Sequence, residues 1–408
     1  MTQQQVGHQV QLLQGGEALF EALVQSIDHS AHEVRLETYI FNVHGAGQQV
    51  AAALERAALR GVAIYLLMDG VGTPALPPEW AERFDKAGVA WRIYSPLGRW
   101  GLLIPSRWRR LHRKLCVVDG VVAFCGGINI LDDYFDPNYG VLDAPRFDFA
   151  VRVEGPLVQV AHAATVQLWW RLQALRKVRH SDLPTAWATL QAAVRQVLHP
   201  VRPAPSVADA ATEGLVYGAV AELVLRDNVR NRTRIERAYR KAIGKAQHEI
   251  IIANAYFLPG YKLRKGLIHA AQRGVRVRLL LHGRYEYFMQ YHAARPVYGA
   301  LLAAGVEIHE YSVSFLHAKV AVIDGHWATV GSSNLDPLSL LLAREANVVV
   351  DDAAFARDLR ARLEQAFESC GVAVDRAGYA NRPWRQRLLD RLAFGLMRVL
   401  LYLNGKRY

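Results

Sequence analysis

Apolar runs of strand length alternate along the chain with amphipathic helical segments, and the alternation occurs twice. In the first half EVRLETYIF (33–41) precedes LERAALRGVAIYLLMDG (54–70) and AGVAWRIYSP (87–96). In the second half EIIIANAYF (249–257) precedes LIHAAQRGVRVRLLLHG (267–283) and AGVEIHEYSV (304–313). The stretches 51–61 and 262–274 carry the helical pattern and end at glycine, and VAIYLLM and VRVRLLL after them read as strands. Strand–helix–strand alternation predicts an α/β fold, with a mostly parallel sheet flanked by helices in each half. A near-identical block then follows in each half, LHRKLCVVDG (111–120) and LHAKVAVIDG (316–325). Four matched segments in one order identify an internal duplication. The Pro- and Ala-rich stretch LHPVRPAPSVADAAT (198–212) reads as the connection. We therefore expect a first half over 1–200, a second over 201–380 with the active site between them, and a tail over 381–408.

The duplicated block carries the candidate chemistry. Apolar runs joined by Asp119-Gly120 and by Asp324-Gly325 predict hairpins, because Asp-Gly suits the positive φ angles of a tight turn. If residues 112–118 form a strand, His112 and Lys114 point to one face, as do His317 and Lys319. The return strands end at Gly126-Gly127-Ile128-Asn129 and Gly331-Ser332-Ser333-Asn334. Glycines there would let the backbone approach a ligand closely, and the asparagines can hydrogen-bond a phosphate oxygen. The assembled pattern, His-x-Lys-x4-Asp-x6-Gly-Gly/Ser-x-Asn, occurs twice.

Composition narrows the partner. The 408 residues are 51% hydrophobic and 21% charged, a globular balance. Lys and Arg outnumber Asp and Glu by 49 to 37, a formal charge of +12 that favours an anionic partner. Three cysteines without metal spacing argue for a reducing compartment and against a disulfide framework. The N-terminal sequence lacks a signal-peptide pattern, and no run of about 18 apolar residues predicts a spanning helix. No His, Cys and Asp cluster has ligand spacing, and a lysine beside each histidine disfavours a cation, so neither a metal nor another cofactor is expected.

The twice-written pattern resembles the HKD motif of the phospholipase D superfamily, in which it is duplicated. The first copy departs once, with Gly127 where Ser is usual. A phosphodiester is anionic, so a neutral imidazole suits the attacking role. A second, protonated imidazole would protonate the departing alkoxide and later deprotonate the incoming alcohol. The resemblance assigns His112 the nucleophilic part, leaving His317 as acid and base, with Lys114 and Lys319 holding the nonbridging oxygens. It also implies that Asp148 and Glu345 are acidic residues orienting the histidines, and that Asp119 and Asp324 are mainly structural. Gly126, Gly127, Asn129, Gly331, Ser332 and Asn334 would line the phosphate.

Two further stretches bear on the substrate. LGRWGLLIPSRWRR (97–110) interleaves Trp100 and Trp108 with Arg109 and Arg110, a composition suited to a lipid–water interface or to single-stranded nucleic acid. In RPWRQRLLDRLAFGLMRVLLYLNGKRY (382–408), Trp384, Leu388, Leu392 and Leu396 recur every four positions among arginines, as in a helix lying flat on a bilayer. A helix docked on the protein's own core is the alternative. With LRDNVRNRTRIERAY, IIANAYFLPGY and HWATVGSSNLDPLSL, the arrangement resembles the bacterial cardiolipin synthases of the short type without N-terminal transmembrane helices. That resemblance implies transfer of a phosphatidyl group between two phosphatidylglycerols on a peripheral enzyme at the cytoplasmic side of the bacterial membrane. Its partners would be anionic phospholipids and the membrane surface, with nucleic acid disfavoured and the oligomeric state open. A phospholipase D hydrolase, a phosphodiesterase or nuclease, and a non-catalytic membrane scaffold are the competing readings.

Overall fold

A computed structural model of the protein describes residues 5–98, 101, 105–179, 214–227, 231–284, 288–336 and 342–403. The chain forms two compact units that are not contiguous in sequence. The first comprises Met1–Cys125, Asn129–Asp132 and Val151–Leu223; the second comprises Gly126–Ile128, Asp133–Ala150 and Val224–Tyr408. Residues 133–150, which follow the first motif in sequence, thus fold with the second unit. The expected connection at 198–212 lies outside the described residues.

The strands of the first half are β1 (Gln5–Gln14), β2 (Glu33–Thr38), β3 (Ala63–Asp69), β4 (Ala90–Tyr94), β5 (Arg110–Leu111), β6 (Lys114–Val118), β7 (Val122–Gly126), β8 (Phe135–Asp136), β9 (Gly140–Val141) and β10 (Phe149–Glu154). Those that follow are β11 (Leu215–Arg226), β12 (Glu249–Asn254), β13 (Arg276–His282), β14 (Glu307–Tyr311), β15 (Lys319–Ile323), β16 (Trp327–Gly331), β17 (Ala343–Asp351) and β18 (Gly371–Ala373). In the first unit the order runs β4-β3-β2-β6-β7-β10-β1-β11, and in the second β18-β14-β13-β12-β15-β16-β17.

The duplication is visible strand by strand. β2, β3 and β4 are parallel neighbours, and β6 joins β2 antiparallel. β12, β13, β14 and β15 repeat this arrangement. Helices Ala46–Leu59 and Tyr261–Gln272 connect the parallel pairs β2–β3 and β12–β13. The second unit's core gathers Ile250, Ile252, Leu263, Leu267, Leu279, Leu281 and Leu301 between sheet and helices. The sheets are mixed rather than mostly parallel. The Asp324-Gly325 turn makes β15–β16 antiparallel, and β16–β17, β12–β15 and β2–β6 are antiparallel as well.

The hairpins form as their turn residues require. Asp119 and Gly120 have φ 51° and 65°, and Asp324 and Gly325 have 50° and 68°. Positive φ at both central positions is the turn whose twist matches that of the flanking strands.

Candidate active site

Each motif strand begins at the lysine, not at the histidine as the alternation predicted. His317 is drawn out of the ladder because its N–H donates to the Phe147 carbonyl, 2.9 Å away.

In the first unit, His112 lies between β5 and β6 with its ring edge-on to Tyr39, centroids 5.0 Å apart. Lys114 is buried, and its Nζ donates to the His112 carbonyl at 2.8 Å. That ammonium also sits 5.4 Å from the centre of the Tyr39 ring. Between the two, Arg113 is buried on Glu37, with Nη2–Oε1 at 2.8 Å and a second contact from Nε. The preceding Leu111 N–H donates to Asp69 Oδ2 at 2.7 Å. Burial pushes the Asp69 carboxyl above its usual range, against the opposing pull of Arg110 at 3.2 Å and three backbone donors.

In the second unit, His317 Nδ1 donates to Asp148 Oδ2 at 2.6 Å. The other oxygen, Oδ1, accepts the Phe149 N–H at 2.8 Å, so the carboxylate is fixed at both ends. Asp148 comes from residues 133–150; it follows the first motif in sequence and serves the second. Lys319 is fully buried, with its ammonium on the His317 carbonyl. The Leu316 N–H donates to His282 Nδ1 at 3.2 Å, and His282 stacks on Phe315 with centroids 5.4 Å apart. Burial first, then the charges of Arg284 and Lys319, hold the His282 pKa down at about 4. Ser332 Oγ donates to Glu345 Oε2 at 2.5 Å, and both residues are fully buried.

The remaining expected residues divide by position. Asp119 and Asp324 each sit at a hairpin tip, beyond the far end of the strand that starts at its lysine. Asp119 accepts the N–H groups of Ala31, His32 and Glu33 at 2.7–2.8 Å, and Asp324 those of Gln247, His248 and Glu249 at 2.8–2.9 Å. These are clamps between hairpin and sheet. Burial opposes ionisation of Asp324, but its three backbone donors prevail and hold its carboxyl below the usual range.

Gly126 and Gly331 are closely packed. A Cβ on Gly126 would lie 2.5 Å from the Phe149 carbonyl oxygen, and one on Gly331 would lie 2.6 Å from that of Ala346. Gly127 makes room for a side chain: its Cβ would fall 2.3 Å from Asp148 Oδ1. Asn129 Oδ1 accepts the Ile40 N–H at 3.2 Å. Asn334 is buried, with no partner for its Oδ1 among the described residues.

In the loop before the first motif, Trp100 lies outside the described residues. Trp108 is half-buried and Arg109 exposed. Arg110 does not face outward: its guanidinium turns in to Asp69 and to the Ser95 carbonyl.

Sequence reasoning missed Arg226, Asp69 and His282. Arg226 is buried beside Glu345 and Asp336, and desolvation outweighs their charges, taking its pKa down to about 10. Asp69 and His282 occupy the same place in LLMDG and LLLHG, so aligning the repeats pairs them. Nothing in either pentapeptide shows that it holds the residue before a histidine. Among the described residues, no group of three or more His, Cys, Asp or Glu is arranged to hold a metal ion.

An imidazole fixed by a buried carboxylate, beside a buried lysine and within a duplicated α/β unit, is an arrangement that can carry acid–base chemistry. The family described as "Cardiolipin synthase, PLD-like domain" matches residues 23–142 and again 239–368, and the chain belongs to it. Cardiolipin synthase B of Escherichia coli (strain K12) is 37% identical over 408 residues, covering 98% of this chain and 90% of that protein. Cardiolipin synthase A of Cronobacter sakazakii is 28% identical over 390 residues, covering 95% and 75% respectively. In fold, the crystal structure of a phosphatidylserine synthase from Haemophilus influenzae Rd KW20 matches with a TM-score of 0.64. It is 11% identical, with 96% of this chain and 93% of that one covered. Cardiolipin synthase is the function that this near-full-length similarity supports.

Proposed function

We propose that the protein transfers a phosphatidyl group from one phosphatidylglycerol to the free glycerol hydroxyl of another, giving cardiolipin and glycerol. The observation that carries the mechanism is the His317–Asp148 couple. A carboxylate on Nδ1 fixes the tautomer and orientation, leaves proton exchange to Nε2 and stabilises the imidazolium.

The steps follow. His112 attacks phosphorus, and the bond to the departing glycerol oxygen breaks as His317 gives that oxygen its proton. A phosphohistidine remains. The hydroxyl of the second phosphatidylglycerol then loses its proton to His317 and attacks phosphorus. The P–N bond breaks, and neutral His112 returns. Lys114 and Lys319 offset the charge gathering on the nonbridging oxygens. Transfer prevails over hydrolysis to the extent that water is kept from the adduct. The enzyme acts at a membrane surface, where its substrates reside, with the cytoplasmic side as its place.

Purified protein incubated with phosphatidylglycerol yields cardiolipin on this reading; phosphatidic acid would mark a hydrolase, and cleaved oligonucleotide a nuclease. His112→Ala and His317→Ala each lower turnover by at least about 10³-fold while thermal melting is retained. With a nitrophenyl ester of a phosphatidyl group, whose leaving group needs no proton, the His317 variant accumulates acid-labile phosphohistidine at His112. No adduct in that variant, or one at another residue, overturns the assignment of roles.

A further inference from the structure

The C-terminal helix, Trp384–Leu403, inverts the usual assignment of inside and outside. It packs along the Phe288–Ala303 helix of the same unit, and the side chains turned inward are Asp390, Ala393 and, in part, Phe394. Asp390 is 3% exposed. Its carboxylate accepts His292 Nδ1 at 2.7 Å and Arg382 Nη1 at 2.8 Å. Arg382 in turn lies 3.7 Å over the Tyr379 ring, which stacks on Tyr298. These contacts form a polar clasp that fixes the helix from behind.

The apolar stripe faces the other way. Trp384, Leu388, Leu392 and Leu396 are 63%, 48%, 61% and 51% exposed, with Leu389 beside them at 38%. A helix whose amphipathicity served the protein's own core would bury the leucines and expose the aspartate. Here the opposite holds, and a contiguous exposed stripe of large apolar side chains marks an interaction site. Arg387 and Arg391 run along one border of the stripe, with Arg385 inside it, all three exposed. An apolar strip bordered by arginines matches a phospholipid interface of negative charge, where leucines reach the acyl boundary and guanidinium groups pair with phosphates. The chain's formal charge of +12 acts in the same sense.

We propose that the outer face of this helix over Trp384–Leu396 is a preformed membrane-binding surface, clasped to the fold through Asp390 and occupied by the interface of an anionic phospholipid bilayer. It deepens the functional reading by naming what holds the enzyme at its substrate, and it rests on the helix alone.

The test is sedimentation of the full-length protein with phosphatidylcholine vesicles, with and without phosphatidylglycerol. Wild type partitions to the phosphatidylglycerol vesicles. Leu388→Glu/Leu392→Glu lowers that partition at least about tenfold, because two side chains lose their apolar burial. Arg387→Gln/Arg391→Gln lowers it several-fold and reduces the preference over pure phosphatidylcholine. Neither pair changes turnover of detergent-dispersed phosphatidylglycerol. If the glutamates disturb folding, Leu388→Ala/Leu392→Ala keeps helix propensity and still loses several-fold in partition. Unchanged partition of the leucine variants overturns the proposal. So does a dimer that they convert to monomer with vesicle binding intact, which would make a second copy the occupant. Partition is read without turnover, so a failure of the transfer reading leaves this result standing.

Discussion

The two repeats share backbone and differ in the groups that hold it. Both place a histidine just before a five-residue strand, a buried lysine at its start and an aspartate clamp past its end. The residue between histidine and lysine is Arg113 in one, tied to Glu37, and Ala318 in the other. The N–H before the histidine goes to a carboxylate, Asp69, in one and to an imidazole, His282, in the other. After the return strand, Gly127 yields space to Asp148 where Ser332 donates to Glu345. A duplicated frame therefore supports two histidines in unlike electrostatic settings, which suits the two tasks proposed for them.

The sharpest way to break the comparison is to neutralise one carboxylate without changing its shape. Asp148→Asn keeps the size of the side chain but no longer stabilises a protonated His317. Turnover is expected to fall by roughly 10²–10⁴-fold with the melting temperature nearly unchanged. The loss should shrink on the nitrophenyl ester during adduct formation and persist in transfer to the alcohol. An equal loss on both substrates and in both steps would place Asp148 outside the acid–base role.

The second prediction runs against the repeat pattern. Gly127→Ser matches the second copy, where Ser332 holds the corresponding place, and symmetry of the repeats suggests a gain. The structure predicts a loss, because the new Cβ would fall 2.3 Å from Asp148 Oδ1 and 2.6 Å from Oδ2. Overpacking of this kind costs about 1–3 kcal/mol. The carboxylate must shift, and turnover is expected to drop by roughly tenfold with KM moving less. Wild-type kcat in this variant would mean that Asp148 relaxes without consequence for His317.

How much of this was legible without coordinates follows from what each signal encodes. The duplication, the Asp-Gly turns and the His-x-Lys pairs are local, and a local pattern survives in sequence. The mixed sheet was half-visible, since a hairpin requires antiparallel pairing, yet the βαβ alternation dominated the reading. Asp148 was found as an acidic residue after the first motif. Its attachment to His317 is a contact across 169 positions, which no spacing in the chain records. Sequence shows Gly126 and Gly331 as glycines but not which atoms crowd them, the Phe149 and Ala346 carbonyl oxygens. Arg110 was counted as an outward cation because nothing local reveals that Asp69, 41 positions earlier, draws it in. In the C-terminal helix the stripe was plain in the four-residue spacing. Which way it faces depends on Asp390 and His292, far apart in the chain.

The smallest expected effect separates His282 from Asp69 by acidity. His282 is held neutral: its Nδ1 must keep a lone pair to accept the Leu316 N–H, and its pKa lies near 4 in the folded chain against about 6.5 when unfolded. Between those values the unfolded chain binds the proton and the folded one does not, so acidification from pH 6.5 toward 4 favours unfolding. The displacement is worth at most about 3 kcal/mol, complete below pH 4 and absent above pH 7. His282→Gln keeps an acceptor for Leu316 and cannot titrate. Its turnover at pH 7.5 should stay within roughly threefold of wild type, whereas His282→Leu, which orphans that N–H, should lose more. Urea unfolding at pH 7.5 and pH 4.5 then reads the difference directly. The Gln variant should lose less stability on acidification than wild type, by about 1–3 kcal/mol. Equal losses would show that the imidazole is protonated in the folded enzyme, and that the residue before His317 is held by something other than the ring.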